Sequence, residues 1–144
     1  MVAYADTSFL LSLYTADANH NTAVDLVKRE TYSFPFTAFQ RHEVRNAVRL
    51  QVFRKDITEP ERDAVLRNVE ADFQDGFLVD TGLAWPFVFT EVEKLSAVHT
   101  ERLGIRGMDV LHVAIARAIG ALEFLTFDAR QKALAAAAGL RAIP

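Results

Sequence analysis

The chain predicts an α/β fold with a mostly parallel sheet, and three observations carry that prediction. Five short apolar runs, VAYA, YSFPF, FLVD, LEFLTF and LRAI, read as buried strands. Segments with apolar residues at helical spacing lie between them, and strand–helix alternation is what gives parallel strands with right-handed connections. Helix boundary signals fall at the joints: Thr58 with Glu61 three residues on and Pro60 in the first turn, Asp128 with Gln131, and Gly120 and Gly139 as terminators.

Taken in order, VAYA is a strand whose carboxyl end carries Asp6, and TSFLLSLY is the first helix. Asn19 or Asn21 caps a second helix through about Glu30. The run around Phe34 is the second strand, with Pro35 expected to close it. Ala38 to Lys55 and then Thr58 to about Asp75 are helices, followed by the strand FLVD at 77–80 and a long helix from about Ala84 to Arg102. The loop LGIRG leads into a helix from about Met108 to Gly120. LEFLTF is the fourth strand, Asp128 opens the last helix, and LRAI is a final short strand.

At 144 residues the chain is expected to be a single domain, 1–144, with one core. Its composition, 51% apolar and 24% charged, is that of a globular protein and argues against disorder. The apolar runs fall short of the roughly 20 residues that a bilayer span needs, and MVAYAD lacks the features of a signal peptide, so no membrane association and a cytoplasmic location are expected. Without cysteine there is neither a disulfide framework nor a thiolate zinc site. The net charge of -3 does not advertise nucleic-acid binding, but a total can hide a basic face.

RGMDVLHVAIA, residues 106 to 116, sets Asp109 and His112 in a segment that otherwise reads as buried helix. A buried carboxylate costs several kcal/mol, to order of magnitude, unless it is paired, hydrogen-bonded or metal-bound. Asp6, Asp109 and Asp128 all fall at helix N-termini, where aspartate is a routine cap, so each has a purely structural explanation. Jointly they point further, because the carboxyl ends of parallel strands share one edge and such folds bind ligands there. Glu43, about five residues into its helix and hence roughly 7 Å from that edge, is a candidate fourth member, or else a solvated helix glutamate. Converging carboxylates repel one another and suit a hard divalent cation, Mg2+ or Mn2+.

Ser8 and Thr126 each stand two residues from an acid and are candidate supporting hydroxyls, the alternative being ordinary helix and strand positions. His112 is expected to be a hydrogen-bonded core histidine, since an all-oxygen site needs no imidazole. Arg41, Arg45 and Arg49 form a row that fits a phosphate backbone, an acidic partner or merely a solvated face. Arg106, beside Asp109, is better placed to meet a phosphate.

DTSFLLSLY, HEVRNAV, RGMDVLHVAIA, FLTFDAR and the closing AAAAGLRAI together resemble the PIN-domain family, and within it the compact VapC-type ribonuclease toxins of type II toxin-antitoxin modules. The resemblance spans nearly the whole chain and all its acidic positions are filled. It implies a three-layer α/β/α sandwich with a sheet of four to five strands in the order 3-2-1-4-5. It also implies a metal-dependent endoribonuclease in which Asp6, Glu43, Asp109 and Asp128 hold Mg2+ or Mn2+, supported by Ser8 and Thr126. The implied partners are an RNA substrate, a cognate antitoxin and a second copy of the chain in a homodimer. Phe9, Leu10, Leu13 and Tyr14 are either part of a partner surface or ordinary core, and core is preferred.

Two other readings compete. A phosphoacceptor, receiver-like signalling domain has a similar sheet, and Asp80 stands where its receiving aspartate would. Against it, Asp6 is followed by Thr7 rather than a second acid, and no lysine follows the last strand. The other is a PIN-like module that only binds, which the filled set of acids disfavours. No glycine-rich phosphate loop or nucleophile elbow is present, which weakens nucleotide-triphosphatase and acyl-hydrolase readings.

Overall fold

The computed structural model describes residues 2–144, which form two compact units, one of residues 2–6 and 82–144 and one of Thr7–Thr81. In the first unit, β1 (Ala3–Ala5), β4 (Glu123–Leu125) and β5 (Arg141–Ile143) make a parallel ladder in the order β1-β4-β5. Its helices are α5 (Trp85–Leu103), α6 (Gly107–Ala118) and α7 (Ala129–Ala137). In the second unit, β2 (Phe34–Phe36) pairs in parallel with β3 (Leu78–Asp80), and the helices are α1 (Thr7–Tyr14), α2 (His20–Glu30), α3 (Ala38–Phe53) and α4 (Glu59–Gln74). The architecture is thus the expected α/β alternation with parallel strands. The order within each ladder agrees with 3-2-1-4-5, but the hydrogen-bonded pairs make two sheets rather than one. Strands of three residues offer few ladder bonds.

In the first unit, β1 and β4 are buried along their whole length, as strands of a parallel sheet covered by helices should be. Tyr4 stacks on Phe124 across the β1–β4 pair at 5.5 Å between ring centroids. α6 packs on both α5 and α7, and its run from Asp109 to Ala116 is buried at every position. Two buried acids in this unit have basic partners: Glu91 accepts from Arg117 at 3.2 Å, and Glu123 lies 3.1 Å from Arg141.

In the second unit, α3 and α4 both start with full capping boxes, Thr37 with Gln40 and Thr58 with Glu61. Pro35 does not close β2 but sits in its middle, opposite Val79. Its neighbours carry the bonding, Phe34 donating to Phe77 O and Thr81 to Phe36 O, so the missing N–H falls at a position that β3 does not use. Phe9 and Leu10 are fully buried, as core positions should be, while Leu13 and Tyr14 are half-buried. The Tyr14 hydroxyl donates to Asp72 at 2.6 Å. No helix among the described residues is long and apolar enough to cross a membrane.

Candidate functional site

Three of the four acids belong to the first unit. Asp6 directly follows β1 and its amide donates to Leu125 O at 3.1 Å, so backbone pairing with β4 runs one residue past the strand. That bond fixes the Asp6 side chain at the carboxyl ends of β1 and β4, where it is only 2% exposed. The neighbouring strand supplies its partner: the Thr126 hydroxyl donates to Asp6 Oδ2 at 2.6 Å. The same hydroxyl accepts the Asp128 amide at 3.0 Å. One buried oxygen therefore ties two of the acids together.

Asp128 is the N-cap of α7, with Oδ1 accepting from the amides of Arg130 at 2.8 Å and Gln131 at 3.0 Å. The capping box expected with Gln131 forms on this side only. Gln131 is buried, and its Oε1 has no hydrogen-bond partner. Asp109 stands in the first turn of α6 with its side chain 11% exposed. Arg106, the residue before α6, donates from Nε to Asp109 Oδ2 at 3.1 Å and brings Nη2 to 3.8 Å from Asp128 Oδ2. The hydrogen bond to Asp109, then the negative charges of Asp109 and Asp128, push the Arg106 guanidinium pKa further up. This is the compensation that a carboxylate entering α6 requires.

His112 is buried, and its Nδ1 lies 2.7 Å from the Tyr4 hydroxyl. The two rings also meet edge-on. It is the hydrogen-bonded core histidine that the sequence predicts.

Glu43 belongs to the second unit, on the second turn of α3, and accepts the Thr7 hydroxyl at 2.6 Å. Thr7 is a residue that sequence reasoning missed. It stands beside Ser8, the hydroxyl singled out in DTS. Arg41 is drawn off the supposed phosphate-gripping row by Glu70 at 2.7 Å and by the ring of Phe73. Asp80 ends β3 in an exposed position.

Among the described residues, no group of three or more His, Cys, Asp or Glu side chains is gathered closely enough to hold a metal ion. The donor chemistry of the first unit nevertheless suits a hard cation. Asp6, Asp109 and Asp128 offer oxygen ligands only, and the Oδ2 atoms of Asp109 and Asp128 both face one positive group, the Arg106 guanidinium.

No protein-family model matches the chain, and no curated protein matches it. Solved structures do. VapC20 of Mycobacterium tuberculosis, a toxin that cleaves the sarcin-ricin loop, aligns with it over 99% of both chains with a TM-score of 0.70, at 20% sequence identity. The chain shares its fold with VapC20. The structure of PAE2754 from Pyrobaculum aerophilum is also similar, with a TM-score of 0.61 at 15% identity over 99% of this chain and 83% of that one. Identities this low leave the likeness resting on the order and geometry of the elements. The placement of Asp6, Asp109 and Asp128 around Thr126 and Arg106 is an independent observation on this chain's own side chains.

Proposed function

We propose that this chain is a metal-dependent endoribonuclease, the toxin of a VapBC-type toxin-antitoxin pair, and that residues 1–144 form a single PIN-like domain. The observation that carries this reading is the oxygen cluster of the first unit, in which Thr126 joins Asp6 to Asp128 and Arg106 joins Asp128 to Asp109. The VapC-type fold and the RNA-cleaving activity of VapC20 support it. Asp6, Asp109 and Asp128, with Glu43 as fourth ligand, would hold Mg2+ or Mn2+. When bound, the cation supplies Lewis-acid activation of water and neutralises charge on the phosphate.

The chain's own groups position that chemistry. Thr126 fixes the Asp6 carboxylate, so the ligand is already ordered before a cation arrives. Thr7 does the same for Glu43 and joins Thr126 as a supporting hydroxyl, with Ser8 kept as a candidate. Arg106, two-thirds exposed, would contact the substrate phosphate. The carboxylates hold and relay protons at their oxygens, and no covalent nucleophile is required. We further infer a cytoplasmic protein that binds a cognate antitoxin and forms a homodimer.

Incubating purified protein with total cellular RNA, in Mn2+, Mg2+ or chelator, and mapping the cut ends tests the reading. Discrete cuts that depend on the cation are expected and would also name the target. Intact RNA under all three conditions, from folded protein, would leave a module that only binds.

A further inference from the structure

We propose that Arg106 is an internal counter-cation that occupies the place of the divalent ion at Asp109 and Asp128, and that metal loading must displace it. The proposal rests on the nuclease reading above and adds a competition within the site.

The atoms involved favour it. Asp128 spends Oδ1 on capping α7, accepting two amides, and turns Oδ2 toward Arg106. Asp109 likewise presents Oδ2, at 3.1 Å from Nε. On each of these two residues, one oxygen that could serve a hard cation, Oδ2, is thus an oxygen that the guanidinium faces. An oxygen that accepts a charged N–H has its charge partly neutralised already, and two positive groups brought to the same carboxylates repel. The exchange is also mechanically simple. The Arg106 backbone is held, its carbonyl accepting the amides of Asp109 and Val110, whereas its side chain is 66% exposed and can swing into solvent without unpacking α6. Displacement would turn the guanidinium outward at the moment when the site becomes able to bind a phosphate.

The test is calorimetric titration of RNA-free protein with Mn2+, together with thermal melting with and without Mn2+, on wild type, Arg106→Gln, Arg106→Lys and Asp109→Asn. Arg106→Gln should bind Mn2+ about fivefold more tightly than wild type, a modest factor because the ion pairs it loses are solvent-screened. It should also melt lower than wild type without metal and gain more on adding it. Arg106→Lys keeps the charge but loses the fork, and should fall between the two, which retains a readout if the glutamine variant folds poorly. Asp109→Asn should bind weakly or not at all. Equal or weaker Mn2+ binding by Arg106→Gln, with wild type binding and Asp109→Asn impaired, overturns the counter-cation role and leaves the metal site standing. No binding by any variant overturns both.

Discussion

The Thr126 hydroxyl lies 2.6 Å from Asp6 Oδ2, and neither residue is more than 2% exposed. Thr126 and Asp6 each stand one residue beyond strands paired as Ala5 with Leu125, so the parallel register itself delivers the hydroxyl to the acid. Thr126→Val keeps the shape but leaves the buried carboxylate without this donor and the Asp128 amide without its acceptor. Loss of partners by buried polar groups costs about 1–3 kcal/mol. The urea midpoint should fall accordingly, and Thr126→Ser should recover most of the loss. A valine variant as stable as wild type would show that this bond organises nothing.

Asp6→Asn and Asp109→Asn should fold and lose RNA cleavage. An amide oxygen at position 6 can still accept from Thr126, and one at 109 can still accept from Arg106, so the local structure survives. The site, however, loses a negative charge. Even partners one shell out from a metal are worth about 10- to 100-fold, so loss of a ligand should reach 100-fold or more. Retained cation-dependent cleavage in both variants would contradict the assignment of these acids.

Tyr14 makes stability depend on alkaline pH. Burial first, then the hydrogen bond to Asp72 and its charge, pushes the phenol pKa far above its ordinary value. A group whose folded pKa is raised contributes stability in full below its unfolded pKa and loses it as pH rises beyond. Above about pH 10 the unfolded chain releases a proton that the folded one keeps, so stability should fall by about 1.4 kcal/mol per pH unit on account of Tyr14. Tyr14→Phe should be less stable at pH 7, since Asp72 loses a donor, yet show a shallower decline between pH 10 and 11. Parallel stability curves for the two proteins would refute this.

The parts of the molecule that were legible in the sequence are those determined by residues close together in the chain. Helix α1 has the bounds that TSFLLSLY suggests, Thr58 and Glu61 form their reciprocal cap, and Asp128 caps α7. What depends on long-range neighbours was not legible. Thr7 meets Glu43, 36 residues away. Pro35 lies inside β2 because its neighbours use the bonds to β3. The guanidinium of Arg106 turns toward Asp109 and Asp128, whereas charge and position alone made it only a residue for a phosphate. Acids at strand ends are legible as candidates for a site; which atoms satisfy them is decided by packing.

His112 should prove structural. Its Nδ1 is satisfied by the Tyr4 hydroxyl in a buried pair. Tyr4→Phe removes that partner with little change in volume and should cost about 1 kcal/mol, read from the thermal midpoint. The rate of RNA cleavage per folded molecule should stay within about twofold, since losing one buried bond moves no ligand. A cleavage loss of the size expected for Asp109→Asn, with folding intact, would instead place His112 in the reaction.

Arg106 should account for one phosphate contact. Each cationic side chain that neutralises a phosphate lowers the slope of log binding constant against log salt by roughly 0.7 for a single strand, through release of condensed counter-ions. Titrating a cleavage-resistant RNA against wild type and Arg106→Gln over a range of salt, with cation present, should give slopes that differ by about that amount, with weaker binding at low salt for the variant. The effect should not depend on RNA sequence, because phosphates carry none. Identical slopes would mean that the guanidinium serves only the aspartates that face it and never reaches the substrate.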